Sequence, residues 1–256
     1  MELMDKKSGI VDYGNWVAKK FIFIPASLVI IFSGLSCLSL FFLIGALFFI
    51  IPTIYFIYAY FQFSPGGGNL QSKIRDLIFN QLVWDGNGSL LDIDCGNGAL
   101  AIEAAKKYSG ARIVGIDYWG GQWEYSKETC EKNAQIAGVA EWVIFQKASA
   151  AKLPFANESF DAVVSNFVFH EVQDVMDKRA VIQEALRVLK KDGIFVFQDL
   201  FLWKRIYGEP ADLLATIQSW GVREVKLIDT SRQSFIPGAM KLPFMVGQIG
   251  IIYGRK

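Results

Sequence analysis

Three short stretches of this chain hold side chains whose types and spacing could do chemistry. The first is Leu90-Leu91-Asp92-Ile93-Asp94-Cys95-Gly96-Asn97-Gly98-Ala99, a mainly apolar run entering a glycine-containing turn that opens a helix. Such a turn exposes backbone N–H groups at a helix start and lets a ligand come close, because glycine has no side chain. The second is Ile113-Val114-Gly115-Ile116-Asp117, an apolar run closed by an acid. A carboxylate there can accept both hydroxyls of an adenosine ribose, its usual role at this place in nucleoside-binding Rossmann-like sheets. The third is Asn166-Phe167-Val168-Phe169-His170-Glu171, which contains the only histidine. An imidazole titrates near neutrality and suits a general base; the alternative for His170 is packing or a bond to the backbone. A single histidine excludes mechanisms that need several imidazole ligands, and Cys37, Cys95 and Cys130 have neither disulfide nor zinc-site spacing, so no metal site is expected.

These stretches need a frame, and hydrophobic periodicity supplies one. Strands are predicted at Ser89 to Ile93, Arg112 to Asp117, Trp142 to Gln146, Phe160 to Ser165 and Ile194 to Gln198. Helices are predicted at Leu70 to Asp85, Ala99 to Lys107, Tyr125 to Ala137 and Val175 to Lys190. That alternation reads as a parallel sheet wrapped on both sides. A helix at Pro210 to Trp220 and late strands at Val222 to Asp229 and Val246 to Tyr253 predict that the last strand inserts antiparallel.

No charged residue lies between Lys20 and Lys73, and 52% of the 256 residues are hydrophobic. Phe21 to Phe63 holds two lengths of about 20 apolar residues, the length that crosses a bilayer core. Two transmembrane helices are therefore predicted, near Phe21 to Leu35 and Leu40 to Phe61, with Pro25 and Pro52 inside them. A signal peptide has a much shorter apolar region, and a soluble core hairpin would show polar faces. Lys6, Lys7, Lys19 and Lys20 precede the first span and place the N-terminus in the cytoplasm; two crossings return the large domain there. The predicted organisation is 1–20 cytoplasmic, 21–63 hairpin, 64–69 linker with the composition of a flexible joint, and 70–256 Rossmann-like domain. Basic and acidic residues nearly balance, 26 against 25, so no strong field gathers nucleic acid, and none is expected as a partner.

In these motifs the chain resembles class I S-adenosylmethionine-dependent methyltransferases, over nearly all of Leu70 to Lys256. The resemblance rests on Asp92, Gly96 and Gly98 in the acidic-x-Gly-x-Gly-x-Gly pattern and on Asp117 at the ribose position. Further matches are Leu153-Pro154-Phe155 followed by Ser159-Phe160-Asp161-Ala162-Val163, and Arg187-Val188-Leu189-Lys190-Lys191-Asp192-Gly193. It implies an α/β fold with a doubly wound, seven-stranded, mainly parallel sheet, the last strand antiparallel, here preceded by two transmembrane helices. It also implies S-adenosyl-L-methionine as cofactor, bound by Asp92, Asp94, Gly96, Gly98, Asp117, Tyr118, Ser149, Ala150 and Asn166. Asn166 to Glu171 would face the methyl donor and acceptor, with His170, Asn166 and Asp199 in catalytic roles and Trp119 to Trp123 covering the nucleoside.

The sequence departs from the family pattern twice. Asp94 stands where the first glycine is usual; it either pairs with the cofactor's ammonium group or crowds the turn. Ser149 replaces an aspartate that commonly accepts from the adenine amino group, and a hydroxyl accepts more weakly. A nicotinamide-dependent dehydrogenase also uses a glycine turn and a later acid, but the Gly-x-Gly-x-x-Gly spacing is missing. Phe167, Phe169, Phe201, Trp203 and Phe244 either line an apolar pocket or belong to the core. With the hairpin they point to a small lipophilic acceptor, a lipid, a quinone or a thiol. The reading from another class is a membrane adaptor with a methyltransferase-like domain that has lost catalysis.

Overall fold

The computed structural model describes residues 9–120 and 125–256. Lys6, Lys7, Gly121, Gln122 and Trp123, to which sequence roles were assigned, lie outside the described residues. The chain divides into two compact units, Asn15–Asp76 and the residues up to Gly14 together with Leu77–Lys256.

In the first unit, α1 (Lys20–Leu35) and α2 (Phe42–Phe63) form an antiparallel helical hairpin. Aromatic rings pair along it from end to end: Phe21 stacks on Phe56 at 5.3 Å, and Phe32 on Phe49 at 5.7 Å. Gly45 is required for this approach, since a Cβ there would lie 2.6 Å from the Phe32 ring. The outward side chains are apolar all round, with Ile30, Phe48, Ile51 and Ile54 mostly exposed. A helix without a polar face suits a hydrocarbon environment.

The hairpin corrects one expectation. α2, at 22 residues, is long and apolar enough to cross a membrane, but α1 has only 16. At 1.5 Å per residue α1 is about 24 Å long, short of a hydrocarbon core of about 30 Å. The structure thus has one candidate membrane span among the described residues, not two. Pro52 does not end α2, which runs through it. The glycine-rich segment after α2 is a hydrogen-bonded turn: Gly67 N donates to Ser64 O at 3.0 Å and Gly68 N to Phe61 O at 3.2 Å. A Cβ on Gly67 would collide with the Phe61 carbonyl.

After that turn come α3 (Leu70–Gln81), β1 (Ser89–Ile93), α4 (Ala99–Lys107), β2 (Arg112–Asp117), α5 (Lys127–Ile136), β3 (Val143–Lys147) and β4 (Phe160–Asn166). A 3-10 turn (Phe169–Glu171) precedes α6 (Arg179–Val188), β5 (Leu189–Asp199), α7 (Lys204–Tyr207), α8 (Pro210–Ser219) and β6 (Glu224–Asp229), and a second (Gly238–Met240) precedes β7 (Gly250–Arg255). The seven strands form one sheet in the order β3-β2-β1-β4-β5-β7-β6. β1 to β5 are parallel, and β7 inserts antiparallel between β5 and β6. Central strands are buried almost continuously, as a sheet covered on both faces requires, whereas the edge strand β3 alternates buried and exposed residues.

Two differences from the periodicity have physical causes. β5 starts directly at Leu189, because Lys190 is drawn out of the expected helix end to Asp161, at 2.8 and 2.9 Å. The same Asp161 carboxylate accepts from Ser89 N at 2.8 Å, so it ties the starts of β1 and β5 to β4. α7 follows β5 without a sequence signal long enough to show helical period.

Candidate active site

Because β1, β2, β4 and β5 are parallel, their C-terminal ends share one edge of the sheet, where ligands of open α/β sheets bind. The turn after β1 is held in a left-handed backbone at three alternate residues: Asp94 at φ 60, Gly96 at φ 58 and Gly98 at φ 81. Gly98 also admits the Phe145 ring, which would lie 2.9 Å from an added Cβ. Asp92 is buried, and its Oδ2 accepts from Ala101 N at 3.0 Å. Its role is to anchor the start of α4, satisfying a helix N–H that has no partner within the helix.

Asp117, at the end of β2, is stitched to the glycine turn. Oδ2 accepts from Gly96 N at 2.8 Å and Oδ1 from Trp119 N at 2.6 Å. The Trp119 indole N–H in turn donates to Gly96 O at 3.0 Å. Burial raises the Asp117 pKa against the lowering effect of these N–H donors. Asp94 beside it is pushed well above the usual carboxylate range, by burial first and then by the charge of Asp117. The N–H donors of Gly96 and Trp119 favour the charged form at Asp117, and that charge opposes ionisation of Asp94.

At the other end of this edge lies the histidine. His170 Nδ1 meets Asp199 Oδ1 at 2.5 Å, while His170 N donates to Asp199 Oδ2 at 3.1 Å and Leu200 N to Oδ1 at 2.6 Å. Asp199 is 1% exposed and the His170 side chain 14%. Burial pulls the imidazole pKa down, but the charge and hydrogen bond of Asp199, with Glu171, outweigh it and the net shift is upward. With Nδ1 occupied, Nε2 is the nitrogen free to take a proton; Glu171 Oε1 lies 3.7 Å from it. Phe167, itself at φ 66, sets its ring edge-on to His170 at 5.2 Å. Asn166 Oδ1, at the end of β4, is buried without a hydrogen-bond partner.

The structure brings Asp94, Gly96, Gly98, Asp117, Asn166, His170 and Asp199 to one edge. The other expected residues differ. Tyr118 is exposed, with Lys147 over its ring at 5.2 Å, and Ala150 is buried. The Ser149 hydroxyl donates to Asp174 Oδ2 at 3.2 Å, which brings a carboxylate from a distant loop beside it. Of the expected aromatic lining, Phe169 and Phe201 are fully buried core residues; Trp203 and Phe244 are exposed.

The sequence did not reveal the N-terminal segment here. Asp12 N donates to Asn133 Oδ1 and Asn133 Nδ2 to Asp12 O, both at 2.8 Å, and Asn133 Nδ2 also reaches Asn97 O at 3.0 Å. Gly14 follows directly under Tyr125, whose ring would lie 2.7 Å from a Cβ there. Burial, with the charges of Glu171, Asp117, Asp12 and Asp94, pushes the Tyr125 phenol up and keeps it neutral. No local pattern announces a pairing of residues so far apart in sequence.

The remaining family-like motifs prove structural. Arg187 donates to Leu153 O, Phe155 O and Asn157 Oδ1 at 2.8 to 3.1 Å while Glu184 holds its guanidinium. It thus latches the loop before β4. Residues 91–197 match the methyltransferase domain family. The domain's curated relatives include a ubiquinone/menaquinone biosynthesis C-methyltransferase of Geotalea daltonii, 32% identical over 139 residues, covering 52% of this chain and 56% of that protein. Another is the 27-O-demethylrifamycin SV methyltransferase of Amycolatopsis mediterranei, 30% identical over 141 residues, 55% of this chain and 49% of that one. The chain spans about half the length of the curated relatives it matches.

Among solved structures, geranyl diphosphate C-methyltransferase from Streptomyces coelicolor A3(2), in complex with magnesium, geranyl diphosphate and S-adenosyl-L-homocysteine, superposes with a TM-score of 0.56 at 17% identity. The match covers 73% of this chain and 81% of that one. The cyclase SpnF superposes equally well, at 0.56 and 21% identity, over 72% and 80%. These likenesses show the fold alone, and one sheet architecture carries more than one reaction.

Proposed function

We propose that this chain is a membrane-anchored S-adenosylmethionine-dependent methyltransferase acting on a small lipophilic acceptor. One observation carries the reading: a glycine turn, a ribose-type acid and a buried imidazole–carboxylate pair meet at one sheet edge, within the segment that matches the methyltransferase domain family. The residues fit the cofactor. Asp117 retains lone pairs for two ribose hydroxyls beside its N–H donors, and the unpaired buried Asn166 Oδ1 offers an acceptor for a ligand N–H. Asp174, tied to Ser149, offers a carboxylate at the nucleoside end.

When bound, S-adenosylmethionine supplies a methyl group on a sulfonium, which a nucleophile attacks in line. The chain's own contribution is positioning and proton removal. His170 takes the acceptor's proton at Nε2, and Asp199 orients the ring and stabilises the imidazolium that forms. Such a pair suits an acceptor with an ionisable O–H or S–H, or a carbon made nucleophilic by loss of a neighbouring proton. The ring of Phe167 beside His170, with Trp203 and Phe244 exposed, favours an apolar acceptor.

The hairpin is the anchor. Its antiparallel arrangement returns the chain to the side from which it entered, whether α1 crosses fully or not, and Lys19 and Lys20 at its start favour the cytoplasmic side. The relatives named for quinone and rifamycin methylation agree with a lipophilic acceptor. The test incubates the full chain, in lipid, with methyl-labelled cofactor and a panel of hydroquinones, phenols, thiols and lipids. Label should enter the organic extract with at least one class, and Asp117→Ala should abolish transfer. Absence of transfer to every class, with the cofactor bound, would favour the adaptor reading.

A further inference from the structure

We propose that Asp94 is the counter-charge for the ammonium group at the methionyl end of the cofactor, and that it ionises when that group arrives. This rests on the cofactor reading above.

Position is the first argument. β1 lies between β2, whose Asp117 faces the ribose, and β4 and β5, beyond which His170 and Asp199 face the acceptor. The cofactor's sulfur joins the ribose to the methionyl chain and carries the methyl group. It must therefore lie over the end of β1, with Asp94 beside it. Conformation is the second. At φ 60 Asp94 occupies a backbone region that glycine takes without cost and other residues enter rarely, so an acid here is a held side chain at a ligand-facing turn.

Charge is the third. The groups facing Asp94 are Asp117 on β2, Glu171 on the 3-10 turn after β4, and the Tyr125 phenol ahead of α5, with Asp12 and His170 around them. The charges that weigh most on Asp94 are carboxylates. A second negative charge is costly in such a setting until a cation arrives. An ammonium group supplies that cation and makes the second ionisation favourable.

The experiment is calorimetry on the detergent-solubilised full chain, in two buffers of equal pH and different ionisation enthalpy. The ligands are S-adenosylhomocysteine, which carries the ammonium group, and 5′-methylthioadenosine, which lacks it. The homocysteine ligand should release up to about one proton and gain up to about tenfold in affinity per pH unit; the thioadenosine should release none. Asp94→Asn and Asp94→Gly both accept the left-handed backbone. Each should abolish release and cut the preference for the homocysteine ligand over the thioadenosine about tenfold. Binding of S-adenosylhomocysteine without proton release, or equal release by Asp94→Asn, overturns the inference and leaves the cofactor reading standing. Failure of both ligands to bind a folded sample overturns both.

Discussion

The His170–Asp199 pair fixes how the reaction should depend on pH. As the proposed base, His170 would work when neutral, and Asp199 holds the imidazole pKa above the ordinary value of 6.5. Activity should therefore rise with pH through a midpoint above 6.5, measured as kcat/KM. Asp199→Asn should move that acid limb to lower pH, and His170→Ala should remove it with a loss of about 10²- to 10⁴-fold. Stability runs the other way. A folded-state pKa raised above the unfolded one gives stabilisation that is complete below the unfolded value and is lost as pH rises through the folded value. The pair's contribution should fade across that window, which denaturant titrations of wild type and His170→Ala would show. The sequence disclosed Asp117, Gly96, Gly98 and His170 because each is a type tied to a position in a strand-and-turn pattern. It did not disclose Asp174 beside Ser149, or Asp12 on Asn133, because nothing local encodes contacts made across the fold.

At the scale of elements, the glycine turn and the strands it joins were legible because apolar runs and a glycine constrain the backbone directly. β1 and β2 fall at the residues the pattern marks. The boundaries that moved are those set by distant side chains, as where Lys190 leaves the expected helix for Asp161. α1 and α2 were both visible as apolar, and the apolar pattern marks the end of α1 at Leu35; what the structure changed is the span count, which falls to one because α1 is too short to cross. Two glycines separate backbone strain from packing. Gly98 is at φ 81 with Phe145 at 2.9 Å from a Cβ; Gly138 is at φ 71 with nothing within 4 Å. Gly138→Ala should cost about 1 kcal/mol for its left-handed backbone alone. Gly98→Ala adds the collision with Phe145 and should cost about 1–3 kcal/mol more, read as a larger drop in the thermal midpoint. Equal drops would contradict the packing at that turn.

At the scale of the molecule, the two units divide the work under the proposed reading: the apolar hairpin would anchor the protein and the α/β unit would carry the reaction. The full chain should sediment with membranes and resist an alkaline carbonate wash. Ile51→Arg with Ile54→Arg puts two charges at the middle of α2, each costing about 2.5–3.5 kcal/mol on insertion, and should release the protein. Unchanged retention would contradict a membrane-embedded α2. The central claim is that the sheet edge ending in Asp94, Asp117 and His170 holds S-adenosylmethionine. Calorimetric binding of that cofactor and of S-adenosylhomocysteine to the full chain, with Asp117→Ala as the comparison, tests it most directly. Saturable binding that the substitution abolishes, with the fold intact by circular dichroism, is the result predicted here. A folded wild-type chain that binds neither would contradict the account.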